Sequence, residues 1–231
     1  MPINGFRRIL IIIMVCAGRA ACGRRPASNR AMLPYRDPKL SIDRRVEDLV
    51  DRMTAEEKFR QLFMVPGNLD GDKSVWKDGI FGLQVPAGDA RGAADKINAI
   101  QRSFVEQTRL GIPIIPFDEA LHGLVRPGAT SFPQAIGLAA TWDEALVAEV
   151  ASAVAAETAS RGIRQVLSPV INIARDVRWG RTEETYGEDP YLASRLAAAF
   201  VGSFEKRGVN ATPKHFVANV GAGGRRSEDR R

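Results

Sequence analysis

Apolar runs ending in a polar or charged residue alternate along this chain with stretches striped at helical spacing, and that alternation limits the fold more than any other feature. Ile112-Pro-Ile-Ile-Pro-Phe117 is apolar throughout and delivers Asp118 at its carboxyl end. Phe81 to Val85, Gln165 to Asn172 and Val209 to Phe216 read as further strands. Between them, Ala94, Ile97, Ile100 and Phe104 stripe one helix face, an alanine-rich helix closes at Gly162, and Asp189-Pro190 starts a helix running to Gly208. Val46, Leu49, Val50 and Met53 mark an earlier helix. Thr54-Ala-Glu-Glu57 and Thr141-Trp-Asp-Glu144 both have the form in which a hydroxyl and a carboxylate each satisfy a free amide at a helix start.

Apolar strands alternating with helices imply a parallel sheet covered by helices, of α/β class. An open doubly wound sheet and a closed eightfold barrel both fit. No Gly-x-Gly-x-x-Gly or Gly-x-x-x-x-Gly-Lys-Ser/Thr loop joins a strand to its helix, which weakens a nucleotide-binding sheet. Asp118, Asn172 and the pair Lys214-His215 each stand at or just past the carboxyl end of a strand, where barrel active sites are built. Four or five strands are expected.

The net charge of +6 belongs to the first thirty residues. Arg7, Arg8, Arg19, Arg24, Arg25 and Arg30 lie there without a lysine or an acid, leaving 27 basic and 27 acidic residues in 31–231. No body-wide positive field remains to attract nucleic acid. Residues 1–22 read as a signal peptide: Arg7 and Arg8 precede an apolar run, Ile9 to Ala17, too short to span a bilayer, and small residues follow. Ala20-Ala21-Cys22 has the form of a lipoprotein cleavage site, although Arg19 stands where leucine is usual, so simple cleavage with export to the periplasm or beyond is expected. Membrane attachment is expected only if Cys22 is lipidated. Residues 23–42 read as a linker. Both cysteines, Cys16 and Cys22, fall in the leader, and with only His122 and His215 besides, neither a disulfide nor a structural metal is expected.

Chemistry concentrates in three segments: Phe117-Asp-Glu-Ala-Leu-His-Gly123, Arg175-Asp-Val-Arg-Trp-Gly-Arg-Thr-Glu-Glu-Thr-Tyr-Gly-Glu-Asp-Pro190, and Pro213-Lys-His-Phe onward to Arg225. Carboxylates that accept hydroxyl protons, cations that donate to hydroxyl oxygens and an indole that covers an apolar ring face suit a polyhydroxylated ligand. Structural readings stand beside these. Asp118 would cap a following helix, Arg181 would pair with Glu183, Glu184 or Glu188, Lys214 would be a surface lysine, and His215 a satisfied core histidine. His122 reads as bonding its own loop, Trp179 as loop core, and the neighbouring acids as holding the loop and capping the next helix.

The ordered set Asp-x-x-x-His-Gly, Arg-Trp-Gly-Arg-x-x-Glu-x-Tyr-Gly-Glu-Asp-Pro and Lys-His-Phe resembles glycoside hydrolase family 3, β-glucosidase-like members, over about Val46 to Arg225. The resemblance implies an N-terminal (β/α)₈ TIM-type barrel over 43–225, a retaining mechanism on terminal β-D-glucose of β-glucosides or oligosaccharides, and no cofactor or metal. It gives sugar-binding roles to Asp118, Arg181, Lys214, His215 and Arg225. Asp118 would hold two hydroxyls, Arg181 would reach the same region of the ring, and Lys214 and His215 would donate on the other edge. The Pro-Gly-His-Gly-Asp loop of the family's β-N-acetylglucosaminidases is replaced here by Val-Ala-Asn-Val-Gly.

A retaining glycosidase needs two carboxyl groups about 5–5.5 Å apart. The family's nucleophile stands in a Ser-Asp-Trp-like context that does not occur here, and Thr141-Trp-Asp143 is a poor substitute because its capping form places Asp143 at a helix start. The reading is therefore an incomplete barrel, N-terminal portion only, with no catalytic pair, no turnover and unpaired strand edges that favour association. Residues 226–231 read as an aberrant tail of a shifted or interrupted frame. A non-catalytic sugar-binding remnant and a β-xylosidase-type member are the alternatives, with an unrelated open α/β enzyme behind them.

Overall fold

The computed structural model describes residues 33–85 and 88–216. The expected leader, the first half of the expected linker, Arg225 and the tail lie outside these residues. Two compact units divide the chain between Asp51 and Arg52. In the first, helix α1 (Ile42–Arg52) holds the short turn Pro34–Arg36. The Tyr35 amide donates to Asp48 (3.1 Å) and Arg45 Nε donates to the Tyr35 carbonyl (3.0 Å).

The second unit is built on five parallel strands in sequential order: β1 (Met64–Pro66), β2 (Gly82–Gln84), β3 (Ile115–Asp118), β4 (Gln165–Val166) and β5 (Asn210–Ala211). A doubly wound sheet reverses its strand order at a switch point, whereas a barrel adds each strand beside the last. The order without reversal is that of a barrel wall. Helices α2 (Ala55–Arg60), α3 (Ala90–Gln107), α4 (Ala135–Ala139), α5 (Glu144–Ser160) and α6 (Pro190–Glu205) accompany it.

Register and the strand period of two assign the faces. Leu83 aligns with Pro116, and Asp118 with Val166. Leu83 and Val166 are fully buried in a core shared with Ile97, Ile100 and Phe104 of α3, Val154 of α5, and Phe200 and Phe204 of α6. That face of the sheet therefore looks at the helices. A second cluster joins Leu138, Val147, Tyr186 and Leu196. The buried residue at the start of the α3 stripe is Ala93 rather than the expected Ala94.

Several expectations are corrected. The four strands located from sequence span five to eight residues each, and the ladders are shorter. β4 stops at Val166 and β5 at Ala211, ahead of Pro169 and Pro213, which have no amide to donate. Pairing continues beyond them as single bonds, Thr212 amide to Ser168 carbonyl (2.9 Å), Lys214 amide to Pro169 carbonyl (3.0 Å) and Ile171 amide to Lys214 carbonyl (2.9 Å). β1 and α4 are not among the expected elements. The capping box expected at Thr141 is absent: α4 ends there, the Thr141 hydroxyl donates to the Leu138 carbonyl (2.6 Å), and Asp143 caps α5 by accepting the Leu146 amide (3.0 Å). The capping box at Thr54 is present, with Glu57 accepting the Thr54 amide (2.8 Å) and the Thr54 hydroxyl accepting the Glu57 amide (3.2 Å).

Glu57 also carries a long-range bond. Its buried carboxylate accepts Arg109 Nε (3.0 Å) and Arg109 Nη2, joining the start of α2 to the segment after α3. The Arg109 guanidinium holds the Glu57 carboxyl below its ordinary value, against the opposing effect of burial. A carboxyl lowered in the folded state stabilises above its unfolded pKa, and that contribution fades as pH falls through the folded value. Glu57→Gln should cost about 1–2 kcal/mol at pH 7, since Arg109 is half exposed and screened. The gap between the two proteins in urea melts should close as pH is lowered below about 4. A gap that stays constant from pH 7 to 3.5 would show that the charge plays no part.

Candidate functional site

Adjacent residues at the end of a strand point to opposite faces, and β3 ends with Asp118 followed by Glu119. In the ladder register Asp118 shares the parity of Leu83 and Val166. Its carboxylate is buried and fully engaged: Arg126 Nε and Nη2 donate to its two oxygens (2.8 and 2.7 Å), and Gln84 Nε2 (2.8 Å) and the Glu119 amide (2.9 Å) complete the set. Hydrogen bonding to Asp118 raises the Arg126 guanidinium further above its ordinary value. Asp118 caps no helix, because the loop 119–134 follows it rather than a helix.

Glu119 stands on the other side of that parity. Its side chain is 45% exposed and accepts Lys214 Nζ at 2.8 and 3.0 Å. Ser168 Oγ lies 3.4 Å from the same carboxylate and accepts the Ala120 amide (3.0 Å), which fixes the backbone beside it. Lys214 is a rim residue with a largely covered stem, because the irregular path after β5 bonds it to Pro169 and Ile171.

Arg181 is buried and grips Glu184 with Nε (2.7 Å) and Nη2 (2.5 Å) while its Nη1 lies 2.7 Å from His215 Nε2. Hydrogen bonding to Glu184 raises the Arg181 guanidinium, and the charge of Glu119 acts in the same sense. Burial pushes the Glu184 carboxyl up, but the bonds and charge of Arg181, with Lys214 behind them, bring it below its ordinary value. Asn172 Oδ1 accepts the His215 amide (3.1 Å) and lies 2.9 Å from His215 Nδ1. A guanidinium only donates and Oδ1 only accepts, so Nε2 is the acceptor and Nδ1 carries the proton. Both ring nitrogens are thus engaged in holding Arg181 and Asn172.

Trp179 is buried as loop core rather than presented as a ring platform, and its carbonyl accepts the Thr182 hydroxyl (2.9 Å). The other acids of this loop hold its shape. Arg178 draws the exposed Asp176 carboxyl down to about 2, and Asp189 caps α6 through the Leu192 amide (2.7 Å). His122 contributes its carbonyl to the Phe132 amide (2.8 Å) within its own loop. Among the described residues, no group of three His, Cys, Asp or Glu side chains gathers to hold a metal.

Of the residues singled out from sequence, the structure joins Arg181 directly to His215 and sets Lys214 beside Glu119, within reach of the same charge network. Asp118 makes no side-chain bond to that network and is bound instead to Arg126 and Gln84. Arg225 lies outside the described residues. Glu119, Glu184 and Arg126 were not among the expected ligands. Strand parity was the available signal for Glu119, since either Asp118 or its neighbour faces the helices, never both.

Residues 54–229 match the sequence model of the glycosyl hydrolase family 3 N terminal domain. Beta-glucosidase C of Emericella nidulans is 34% identical over 229 residues, covering 87% of this chain and 37% of that protein. A beta-xylosidase of Formosa agariphila is 39% identical over 137 residues, 53% of this chain and 19% of the relative. The solved structure of a β-glucosidase from Erythrobacter marinus superimposes with a TM-score of 0.70 at 35% identity, over 79% of this chain and 26% of that one. The chain spans little more than a third of the length of these relatives at most. With the motifs, the strand order and the family match in agreement, the chain belongs to glycosyl hydrolase family 3, and its five parallel strands are part of that family's N-terminal TIM-type barrel.

Proposed function

We propose that this region grips the terminal sugar of a β-glucoside for a retaining hydrolase, with Glu119 and Lys214 as its principal contacts. The observation that carries the reading is the half-exposed Glu119 carboxylate held by Lys214 at the carboxyl ends of the strands. A carboxylate has about four lone-pair positions and an ammonium three protons. Lys214 gives the carboxylate two bonds and the Ser168 hydroxyl a third, long one, leaving about one acceptor position on Glu119 and one donor on Lys214 for a ligand. That combination matches vicinal hydroxyls on a pyranose, each of which donates once and accepts once. Arg181 and His215 support the same wall, and Asp118 acts behind it through Arg126 rather than on the sugar.

Bond cleavage needs a free carboxylate nucleophile and an acid/base partner. Glu119 and Glu184, the carboxylates described at the rim, are each committed to a cation, so neither is assigned the nucleophile. The leader-like pattern of residues 1–22 supports an exported protein. Xyloside specificity is the second reading, supported by the identity to beta-xylosidases.

In isothermal titration of the 231-residue chain with D-glucose and D-xylose, the glucoside reading expects the tighter binding to glucose. Glu119→Gln should weaken glucose binding about tenfold, the value of one charge-assisted hydrogen bond, with little change in thermal midpoint. Asp118→Asn should show the reverse, a lowered midpoint with affinity retained in the folded protein. A loss of affinity in Asp118→Asn and none in Glu119→Gln would overturn the assignment. The same chain should release no nitrophenol from p-nitrophenyl β-D-glucoside, and measurable steady release would place a nucleophile among these residues.

A further inference from the structure

Arg161 is buried, 3% exposed, and has no acidic partner among the described residues. A guanidinium withdrawn from water without a counter-charge is unfavourable, and hydrogen bonds to carbonyl oxygens offset part of that cost. Arg161 Nη2 donates to the Pro127 carbonyl (2.8 Å) and Nη1 to the Gly88 carbonyl (3.1 Å). One turn earlier on the same face, Glu157 accepts the Thr130 amide (2.9 Å) and the Thr130 hydroxyl (2.7 Å). Both side chains at the end of α5 thus close on residues 127–130 of the loop that begins with Glu119, Arg161 donating to the Pro127 carbonyl, and to Gly88 outside the loop, and Glu157 accepting from Thr130.

That loop is built to be held. Arg126 returns to Asp118 at the end of β3, and the Phe132 amide reaches the His122 carbonyl (2.8 Å). Gly123 adopts φ 111°, and a Cβ there would sit 2.2 Å from the Thr130 carbonyl oxygen, so the two limbs of the loop touch backbone to backbone. A shift at Thr130 is therefore transmitted to Gly123 and on toward Glu119.

We propose that Glu157 and Arg161 are positioning residues for the sugar site, clamping the Glu119 loop from the end of α5; this rests on the sugar-binding role given to Glu119. Neither reaches the rim cluster of Glu119, Lys214 and Arg181. Their effect on affinity runs through the loop backbone.

The test pairs glucose titration with amide hydrogen exchange on the full chain, for Glu157→Ala, Glu157→Gln and Arg161→Met, with Val209→Ala as a core variant that makes no bond to the loop. Glu157→Ala and Arg161→Met should raise exchange over residues 119–130 and weaken glucose binding about threefold to tenfold at a temperature where all variants are folded. Glu157→Gln should restore both, because its carbonyl accepts the Thr130 amide and its amide donates to the Thr130 hydroxyl. Val209→Ala should leave both unchanged. Unaltered loop exchange in Glu157→Ala and Arg161→Met overturns the proposal, as does exchange raised throughout the protein or an affinity loss matched by Val209→Ala. If the unsubstituted chain binds no glucose, the sugar-binding reading fails, while the exchange data still decide whether the clamp exists.

Discussion

A carboxylate taken out of water needs a counter-charge, and at the end of β3 the backbone sends two neighbouring carboxylates in opposite directions to find theirs. Asp118 takes the parity of the helix-facing residues and is satisfied by Arg126, by Gln84 from the neighbouring strand end and by a backbone amide. Glu119 goes to the rim, where Lys214 meets it while nearly half its side chain stays in solvent. The first arrangement fixes the backbone from behind and the second leaves acceptor capacity facing outward. Neither works without the other, because the position of Glu119 is set by a strand end that the Asp118 pair and the Ala120–Ser168 bond hold still.

The cations that meet these acids are presented by irregular backbone. Past Pro169 and Pro213 the β4–β5 ladder breaks into isolated bonds, and those bonds deliver Lys214 and His215 to the rim. Arg181 comes from the long loop before α6, held between Glu184 and His215. Regular strands would satisfy the same backbone groups but would carry these side chains past the rim in strict alternation. Breaking the ladder at the carboxyl end lets residues from three segments converge.

Much of the fold is legible in local pattern. The Thr54–Glu57 box and the Asp189 cap each depend on atoms a few residues apart, and α3 follows its apolar stripe with a shift of one position at Ala93. β1 escapes such reading because three residues carry no period. α4 escapes for a similar reason, and its presence moved the start of α5 from Thr141 to Asp143. The parallel sheet was legible as alternation, but only the sequential strand order separates a barrel wall from a doubly wound sheet. At the site, the three motif segments were legible by chemistry, whereas Asp118 and Glu119 were not distinguishable, since both are acids at the end of one apolar run.

The sequence by itself determined which residue types reach the rim, through the charge-bearing ends of its apolar runs, and which family they belong to, through the order and spacing of its motifs. Tertiary structure decided which carboxylate faces outward. That choice rests on sheet register, on the helix packed against one face and on an arginine eight residues away, and a linear pattern holds none of these. Burial then separates the two acids: in the covered position a carboxylate must be fully paired, and only the one left partly in water keeps oxygens free for a ligand.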